Sequence, residues 1–364
     1  MALPTKTQIS DAVEAKGNIL DPKLSGFNTI GGIFGAEMYC GGFCMVYPLV
    51  NSQGKKYAFR VWHQEIDGIK DRIKKIASYL QTQNIPYFVE FEFIESALNV
   101  PDAYDANSQI DAIRMDWVAG DNLIDYLNKI ITSDQDDNQK KTAILELAEK
   151  FKNMVVALHE KHISHGDLQH GNIIITPQKE LKLVDYDSVY VPTFTNEIQV
   201  TSGLAGYQHP CRKGTNTIAS EKDDYFSEYI IYTSLLAYAE DLSLWEPIDD
   251  EDNPRDEYSL LFKESDLQNS TQSALFAKLR NSSNPELKNA ADTLISVLQE
   301  PNCNNLESIF PDKQKYLKQP PTIVLDDDFI AGLGASRNQR KTYKKQAIEL
   351  DFDEDEARKR YSQN

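Results

Sequence analysis

Three polar residues around a predicted pair of short strands constrain the fold of this chain more than any other feature. Asp167, Asn172 and Asp185 follow one another at intervals of five and thirteen residues. The apolar runs Ile173–Ile175 and Leu181–Val184 flank the turn PQKE, which predicts a β-hairpin. Amide and carboxylate oxygens are the ligands that Mg²⁺ takes beside phosphates. A further carboxylate, not bound to metal, can accept the proton of a hydroxyl group.

The chain around this hairpin changes from β-rich to α-rich. Aromatic and β-branched residues, interrupted by the turn NSQGK, predict strands over Ile30–Trp62, and YFVEFEFIE and DAIRMDWV predict two more. Apolar residues at three- and four-residue spacing predict a helix over Ile69–Leu80. After Gly120, LIDYLNKII and the run that ends at Leu158 predict helices, and YFSEYIIYTSLLAYA predicts a buried one. The order of these patterns indicates an α+β fold.

Composition excludes several classes of protein. The 364 residues carry 56 acidic and 38 basic side chains, a formal net charge of −18, which disfavours binding to nucleic acid or to an anionic membrane. No run approaches the roughly 18 apolar residues of a membrane-spanning helix. The N-terminus lacks the apolar core of a secretory signal. Four cysteines in a chain of this length predict reduced thiols, and we therefore expect a cytoplasmic protein.

The two ends of the chain differ from its middle. Residues 1–29 show no sustained periodicity, and we expect them to form an N-terminal extension. Beyond Pro320, acidic and basic blocks alternate, which is typical of a solvated or partner-bound tail.

The segment HGDLQHGN, followed by VDYD, resembles the catalytic loop and the metal-binding motif of eukaryotic-type protein kinases, HRDLxxxxN and DFG. The resemblance implies that Asp167 accepts the proton of the substrate hydroxyl and that Asn172 and Asp185 bind Mg²⁺. It also implies the bilobed α+β fold of protein kinases, with a small β-rich lobe and a large α-helical lobe. The four expected regions are an N-terminal extension at 1–29, a kinase N-lobe at 30–117, a kinase C-lobe at 118–312 and a charged tail at 313–364.

Other parts of the kinase pattern follow in chain order. CGGFCMVY resembles the later half of the glycine-rich loop, YAFR the VAIK strand, and RMDWVAGDNL the hinge between the lobes. GYQHP resembles the end of the activation segment, and Asp224 in KDDYFS resembles the aspartate that anchors a buried helix. The resemblance implies ATP as the nucleotide. The residues that it places against ATP are Gly41, Gly42, Phe43, Val46, Ala58, Arg60, Met115, Asp116 and Val118.

The sequence departs from this pattern in four places. Arg60 stands where the family has the lysine that holds the α- and β-phosphates, and arginine is not equivalent to lysine there. The predicted helix after it contains no glutamate to pair with this cation; Asp71 is the nearest candidate by type, and Glu65 and Asp67 lie just before the helix. Gln169 stands where protein-serine kinases have a lysine. Asp187 replaces the glycine of DFG, and Gly166 replaces the arginine of HRD, so activity need not depend on phosphorylation of the activation segment.

HGDLQHGN with DYD is similar to a bacterial branch of kinase-like proteins linked with stress or defence. We expect transfer of a phosphoryl group from ATP, with Mg²⁺, to serine or threonine hydroxyls of a protein substrate or regulatory partner. Two alternatives stay open. Loss of both lysines is typical of a nucleotide-binding pseudokinase that acts as a scaffold. The loop HGDxxxxN is also similar to that of aminoglycoside and choline phosphotransferases, which are small-molecule kinases. The sequence leaves the oligomeric state open.

Overall fold

The structure is a computed structural model that describes residues 3–32, 35–101, 107–200, 203–212, 217–246, 256 and 258–310. These residues belong to one unit, Met1–Asp312. The tail expected at 313–364 lies outside the described residues. Within the part of the chain that is described, no helix combines the length and the apolar character needed to cross a membrane.

The first part of the chain forms an antiparallel β-region. Its strands are β1 Asn28–Thr29, β2 Gly31–Gly32, β3 Gly35–Ala36, β4 Tyr39–Cys40, β5 Cys44–Val50, β6 Lys56–Trp62, β7 Phe91–Pro101 and β8 Asn107–Asp116. Six of them form one sheet in the order β1-β5-β6-β8-β7, with β4 paired to β5, while β2 and β3 form a separate pair. Side chains alternate between the two faces of a strand, and both faces of β6 are buried: Ala58 and Trp62 pack in one apolar cluster, Phe59 and Val61 in another.

The N-terminal segment covers one face of this sheet. Helix α1 (Lys6–Glu14) begins with a capping box between Thr5 and Gln8. Farther along, Asp21 forms a buried ion pair with Arg114 of β8. The expected extension is therefore packed against the small lobe, and its periodicity escapes detection because the helix is only nine residues long. The apolar residues that α1 buries are Ile9, Ala12 and Val13.

The second part of the chain is mainly helical. The remaining helices are α2 Ile69–Gln83, α3 Leu123–Ile131, α4 Asp137–His159, α5 Tyr225–Glu240, α6 Glu264–Gln268, α7 Ala274–Arg280 and α8 Pro285–Leu298. Helix α5 is buried along nearly its whole length and packs against α4. Three short strands, β9 Asp121–Asn122, β10 Ile173–Ile175 and β11 Leu181–Leu183, form a small sheet in the order β11-β10-β9. The predicted hairpin is thus confirmed, as is the bilobed α+β fold.

The strand predicted over YFVEFEFIE differs from the one observed. Strand β7 begins only at Phe91 and continues to Pro101, with an irregular register between Ile94 and Leu98. The backbone before Phe91 does not pair with the sheet at Tyr87, because the Tyr87 carbonyl accepts a hydrogen bond from the Leu183 N–H at 2.8 Å. This contact joins the connection between α2 and β7 to the hairpin that carries the polar residues.

The prediction that all four cysteines are reduced is wrong for one pair. Cys211 and Cys303 form a disulfide; their Cα atoms are 6.0 Å apart, and the two residues are separated by 92 in sequence number. Cys40 and Cys44 are free thiols. The two paired cysteines meet only because the end of the GYQHP segment packs beside the segment that follows α8.

Candidate active site

A buried carboxylate holds the loop that carries Asp167. Asp224, at the start of α5, accepts hydrogen bonds from the backbone N–H groups of His165 and Gly166. Burial raises the pKa of Asp224 to about 6. His165 is buried too, and its Nε2 lies 2.9 Å from the carbonyl oxygen of Val184. The loop is therefore tied both to α5 and to the chain that leaves β11.

Asp167 and Asn172 are brought together by the turn between them. His170–Asn172 forms a single 3₁₀ turn. The Asn172 Nδ2 atom donates to the carbonyl oxygen of Asp167 at 2.7 Å and lies 3.3 Å from its Oδ2. Because the amide nitrogen of Asn172 donates to Asp167, the Oδ1 atom of Asn172 remains as an acceptor. No described residue donates a hydrogen bond to this Oδ1.

The carboxylate of Asp167 is partly enclosed. Its Oδ1 is buried and has no hydrogen-bond partner among the described residues. Gly203 lies against it with a φ of +68°, and a Cβ there would come 2.8 Å from Asp167 Oδ1. Burial raises the pKa of Asp167, and the charge of Asp185 adds to this rise. A raised pKa makes a carboxylate a better proton acceptor near neutral pH.

Asp185 lies next to Asn172 in the structure. The Val184 N–H donates to the carbonyl oxygen of Asn172 at 3.0 Å, which places the two side chains on adjoining backbone. Asp185 has a φ of +68°, in the left-handed region that few residues other than glycine adopt. Its side chain is 45% exposed, and one of its two oxygens accepts a hydrogen bond from Arg60. The second carboxylate oxygen and Asn172 Oδ1 are hard oxygen donors of the kind that fits Mg²⁺.

Arg60 is engaged by two acidic residues. Its guanidinium group donates to the two oxygens of Asp187 at 2.8 and 2.7 Å and to Asp185 Oδ1 at 2.7 Å. Its Nε donates to the sulfur of Cys44 at 2.9 Å. Burial lowers the pKa of Arg60, but the charges of Asp185 and Asp187 outweigh burial and hold the pKa above its ordinary value. Arg60 is therefore a permanent cation.

The partner of Arg60, which the sequence leaves open, is Asp187 and not the candidate Asp71. Asp71 is exposed on the first turn of α2, whereas Asp187 is buried and bound to Arg60 through both oxygens. Two departures from the kinase pattern thus compensate for each other. The carboxylate at the glycine position of DFG replaces the glutamate that α2 lacks.

Helix α2 contributes a cation instead, and sequence analysis missed it. Arg72 is buried; its Nε donates to the carbonyl oxygen of Asp187 at 2.7 Å, and its Nη2 lies 3.1 Å from the carbonyl oxygens of Ser188 and Val189. A signal was available, because Arg72 lies four residues before Ile76 and so shares the apolar face of the helix. A charged residue on such a face indicates a buried polar contact.

The hydrogen bonds of the Tyr186 hydroxyl account for the tyrosine in the motif DYD. Its hydroxyl donates to the carbonyl oxygen of Leu183 at 2.6 Å and accepts from the N–H of Val89 at 2.8 Å. Its ring packs edge-on against Phe88 and Phe91. Burial raises the pKa of the phenol, so it stays neutral. A phenylalanine would pack in the same place but would leave both backbone groups without these hydrogen bonds.

The residues predicted to contact the nucleotide lie on adjacent strands. Gly41, Gly42 and Phe43 are in the turn between β4 and β5, where the Gly41 N–H donates to the Cys44 carbonyl oxygen at 2.9 Å. The other predicted residues follow from the sheet register, in which Val46 is paired with Arg60 and Ala58 with Met115, while Asp116 ends β8 and Val118 follows it. The sheet brings these residues together, and their contact with ATP stays a prediction.

A cavity of about 440 Å³ lies beside the hinge. It is lined on one side by Asp116–Ala119 and on another by Thr176–Gln178, the turn of the hairpin. Asp167, Asn172 and Asp185 are not among its lining residues. This cavity is therefore distinct from the site that contains these three residues.

Comparison with known proteins agrees with this geometry. The protein kinase domain family matches residues 36–305, which is most of the chain. The chain therefore belongs to the protein kinase domain family. A similar protein is the interferon-induced, double-stranded RNA-activated protein kinase of Rattus norvegicus, which is 23% identical over 207 residues. That match covers 55% of this chain and 40% of the rat protein, so the chain corresponds to less than half of this relative.

Proposed function

We propose that this protein transfers the γ-phosphoryl group of ATP to serine or threonine hydroxyls of a protein. Membership of the protein kinase domain family and the similarity to a protein kinase support a kinase-type transferase. The observation that carries the finer proposal is the convergence of Asp167, Asn172 and Asp185. Each of them has a side-chain oxygen to which no described residue donates a hydrogen bond.

In this proposal Asp167 orients the acceptor hydroxyl and takes its proton as the hydroxyl oxygen attacks the γ-phosphorus. The new oxygen–phosphorus bond forms while the bond from the γ-phosphorus to the β–γ bridging oxygen breaks, and ADP leaves. Asn172 Oδ1 and the second oxygen of Asp185 are the groups that would hold Mg²⁺, which supplies positive charge to the phosphates when bound. The raised pKa of Asp167 suits it to the role of proton acceptor.

Arg60 acts in this proposal mainly by orienting Asp185. One guanidinium group faces two carboxylates, so this set carries a net charge of +1 − 2 = −1. Such a set repels a free nucleotide and attracts the Mg²⁺ ion that a nucleotide carries. We therefore expect ATP with Mg²⁺ to raise the thermal midpoint of the protein and ATP with a chelator to leave it unchanged.

The test is a labelled-ATP assay on wild type, Asp167→Ala and Asp185→Asn in parallel. General base catalysis contributes about 10²–10⁴-fold, and we expect Asp167→Ala to lose labelling by that factor. Asp71→Asn is the matched control, because it removes an exposed carboxylate and should label as wild type does. Equal labelling by wild type and Asp185→Asn would contradict the metal-site assignment.

The same assay distinguishes the two alternatives. A pseudokinase would show the Mg²⁺-dependent thermal shift with ATP but transfer no label at any Mg²⁺ or Mn²⁺ concentration. A small-molecule kinase would release ADP when a low-molecular-weight alcohol is added and would label no protein. Labelled protein that depends on Asp167 supports the protein kinase.

Partners and setting also belong to this proposal. The formal net charge of −18 favours a basic protein substrate or regulatory partner over nucleic acid or an anionic membrane. The bacterial stress or defence setting rests on the resemblance of HGDLQHGN and DYD. The cytoplasmic location stays a prediction from the sequence.

A further inference from the structure

One buried side chain fastens the segment after Asp185 to helix α2. Arg72 is 5% exposed, and its guanidinium group also lies 4.7 Å from the centre of the Phe194 ring. Its hydrogen bonds reach both ends of the thirteen-residue stretch 187–199. The acceptors are the carbonyl oxygens of Asp187 at 2.7 Å, Ser188 and Val189 at 3.1 Å and Ile198 at 3.3 Å, and the side-chain oxygen of Gln199 at 3.1 Å.

Gln199 extends this connection into the large lobe. Its Oε1 accepts from Arg72 at 3.1 Å, and its Nε2 donates to Asp223 Oδ2 at 2.7 Å. Asp223, which is buried, precedes the aspartate that holds the catalytic loop. Helix α2 and the start of α5 are thus joined through one amide side chain.

Gly166 provides the space that this amide occupies. Its φ is +76°, and a Cβ at this position would come 2.2 Å from the carbonyl oxygen of Ser188 and 2.6 Å from Gln199 Nε2. A residue with a side chain would have to displace backbone as well as the amide. The glycine that replaces the arginine of HRD is therefore matched to Gln199 and to the backbone that Arg72 binds.

We propose that Arg72 is a positioning residue for phosphoryl transfer. It holds residues 187–199 against α2 and thereby keeps Asp187 and Asp185 in place. The proposal rests on the proposed function. The groups that accept hydrogen bonds from Arg72 are backbone carbonyls and one amide oxygen, and none of them requires a chemical modification. Assembly of the segment is therefore independent of phosphorylation.

Amide hydrogen exchange tests the structural part without any catalysis. The reporters are the N–H groups of Val189 and Tyr190, which donate to the carbonyl oxygens of Tyr186 and Ser164. We expect their exchange to be at least tenfold faster in Arg72→Met than in wild type. The matched control is K74M on the same helix, because that lysine is 42% exposed and pairs with an acidic residue of β7; its exchange at these reporters should stay within twofold of wild type.

The catalytic part is tested by the Mg²⁺ concentration that gives half-maximal labelling. We expect Arg72→Met to raise this concentration at least tenfold, because release of the segment displaces the metal-binding carboxylate of Asp185. Arg72→Lys restores the charge but lacks the planar fork that reaches several carbonyls, and we expect an intermediate value. An unchanged Mg²⁺ requirement in Arg72→Met would overturn the positioning role.

Two further results would overturn the proposal. One is exchange in Arg72→Met that matches wild type; the other is loss of protection when wild type is treated with phosphatase. If Arg72→Met does not fold, Gln199→Ala provides the test, with the N–H groups of residue 199 and Ala219 as reporters and the same tenfold expectation. If wild type labels nothing, the proposed function fails, while hydrogen exchange still decides whether Arg72 assembles the segment.

Discussion

Asp187→Asn removes one charge from the centre of the site and changes little in its shape. Both oxygens of Asp187 accept hydrogen bonds from Arg60, at 2.8 and 2.7 Å. The side chains of Arg60 and Asp187 are only 7% and 6% exposed. Asparagine retains one acceptor, but it directs an N–H₂ group toward the guanidinium group. One hydrogen bond is therefore lost, and a buried cation loses half of its compensating charge.

The magnitude follows from this geometry. Removal of one partner of a buried ion pair costs about 3–5 kcal/mol. Arg60 keeps Asp185 as a second partner at 2.7 Å, so we place the loss in the free energy of unfolding at the lower end, about 3 kcal/mol. A large domain loses roughly 2–4 °C in thermal midpoint for each kcal/mol, and the expected decrease is roughly 6–12 °C.

The assay is thermal unfolding of wild type, Asp187→Asn and Asp71→Asn near neutral pH. Asp71→Asn makes the same chemical change at an exposed position of α2, and its effect should stay within about 0.5 kcal/mol. A thermal midpoint of Asp187→Asn within about 2 °C of wild type, which is the range expected of the control, would refute the pairing of Asp187 with Arg60. Equal losses in both variants would refute it as well.

Three other predictions concern the framework of the site. Ile9→Ala in α1 should cost about 2–5 kcal/mol in unfolding by denaturant, because it opens a cavity under a fully buried side chain; a loss below about 0.5 kcal/mol would show that the N-terminal segment is not part of the small lobe. Burial lowers the pKa of His159, but its hydrogen bond to Glu228 and that residue's charge outweigh burial and raise it. This stabilisation is complete below the ordinary pKa of about 6.5 and disappears as pH rises through the raised value, so His159→Gln should lower the thermal midpoint more at low than at high pH, and a pH-independent loss would contradict the ion pair. Dithiothreitol should destabilise wild type by about 2–4 kcal/mol and leave the double variant Cys211→Ser/Cys303→Ser unchanged, whereas equal responses would show that the disulfide does not form.

Local patterns were sufficient for most of the helices and for the hairpin. The apolar spacing along α4 and the continuous apolar character of α5 predict both helices, because each reflects burial of residues close in sequence. The short N-terminal helix α1 has two sequence signals, the capping box of Thr5 and Gln8 and a single set of apolar residues at helical spacing. The strand β7 was misplaced because the backbone at Tyr87 bonds to the hairpin, a contact that strand propensity does not encode.

The three polar residues at the centre of the site lie close together in the sequence. Asp167, Asn172 and Asp185 fall within one loop and one hairpin, so their types and spacing predict that they converge. The partner of Arg60 is not local, since Asp187 is 127 positions away in the sequence. A guanidinium group binds whichever carboxylate the packing brings within reach, and Asp71 and Asp187 are chemically equivalent before the lobes are packed. Only the fold, by burying one of them and exposing the other, decides which carboxylate balances the cation.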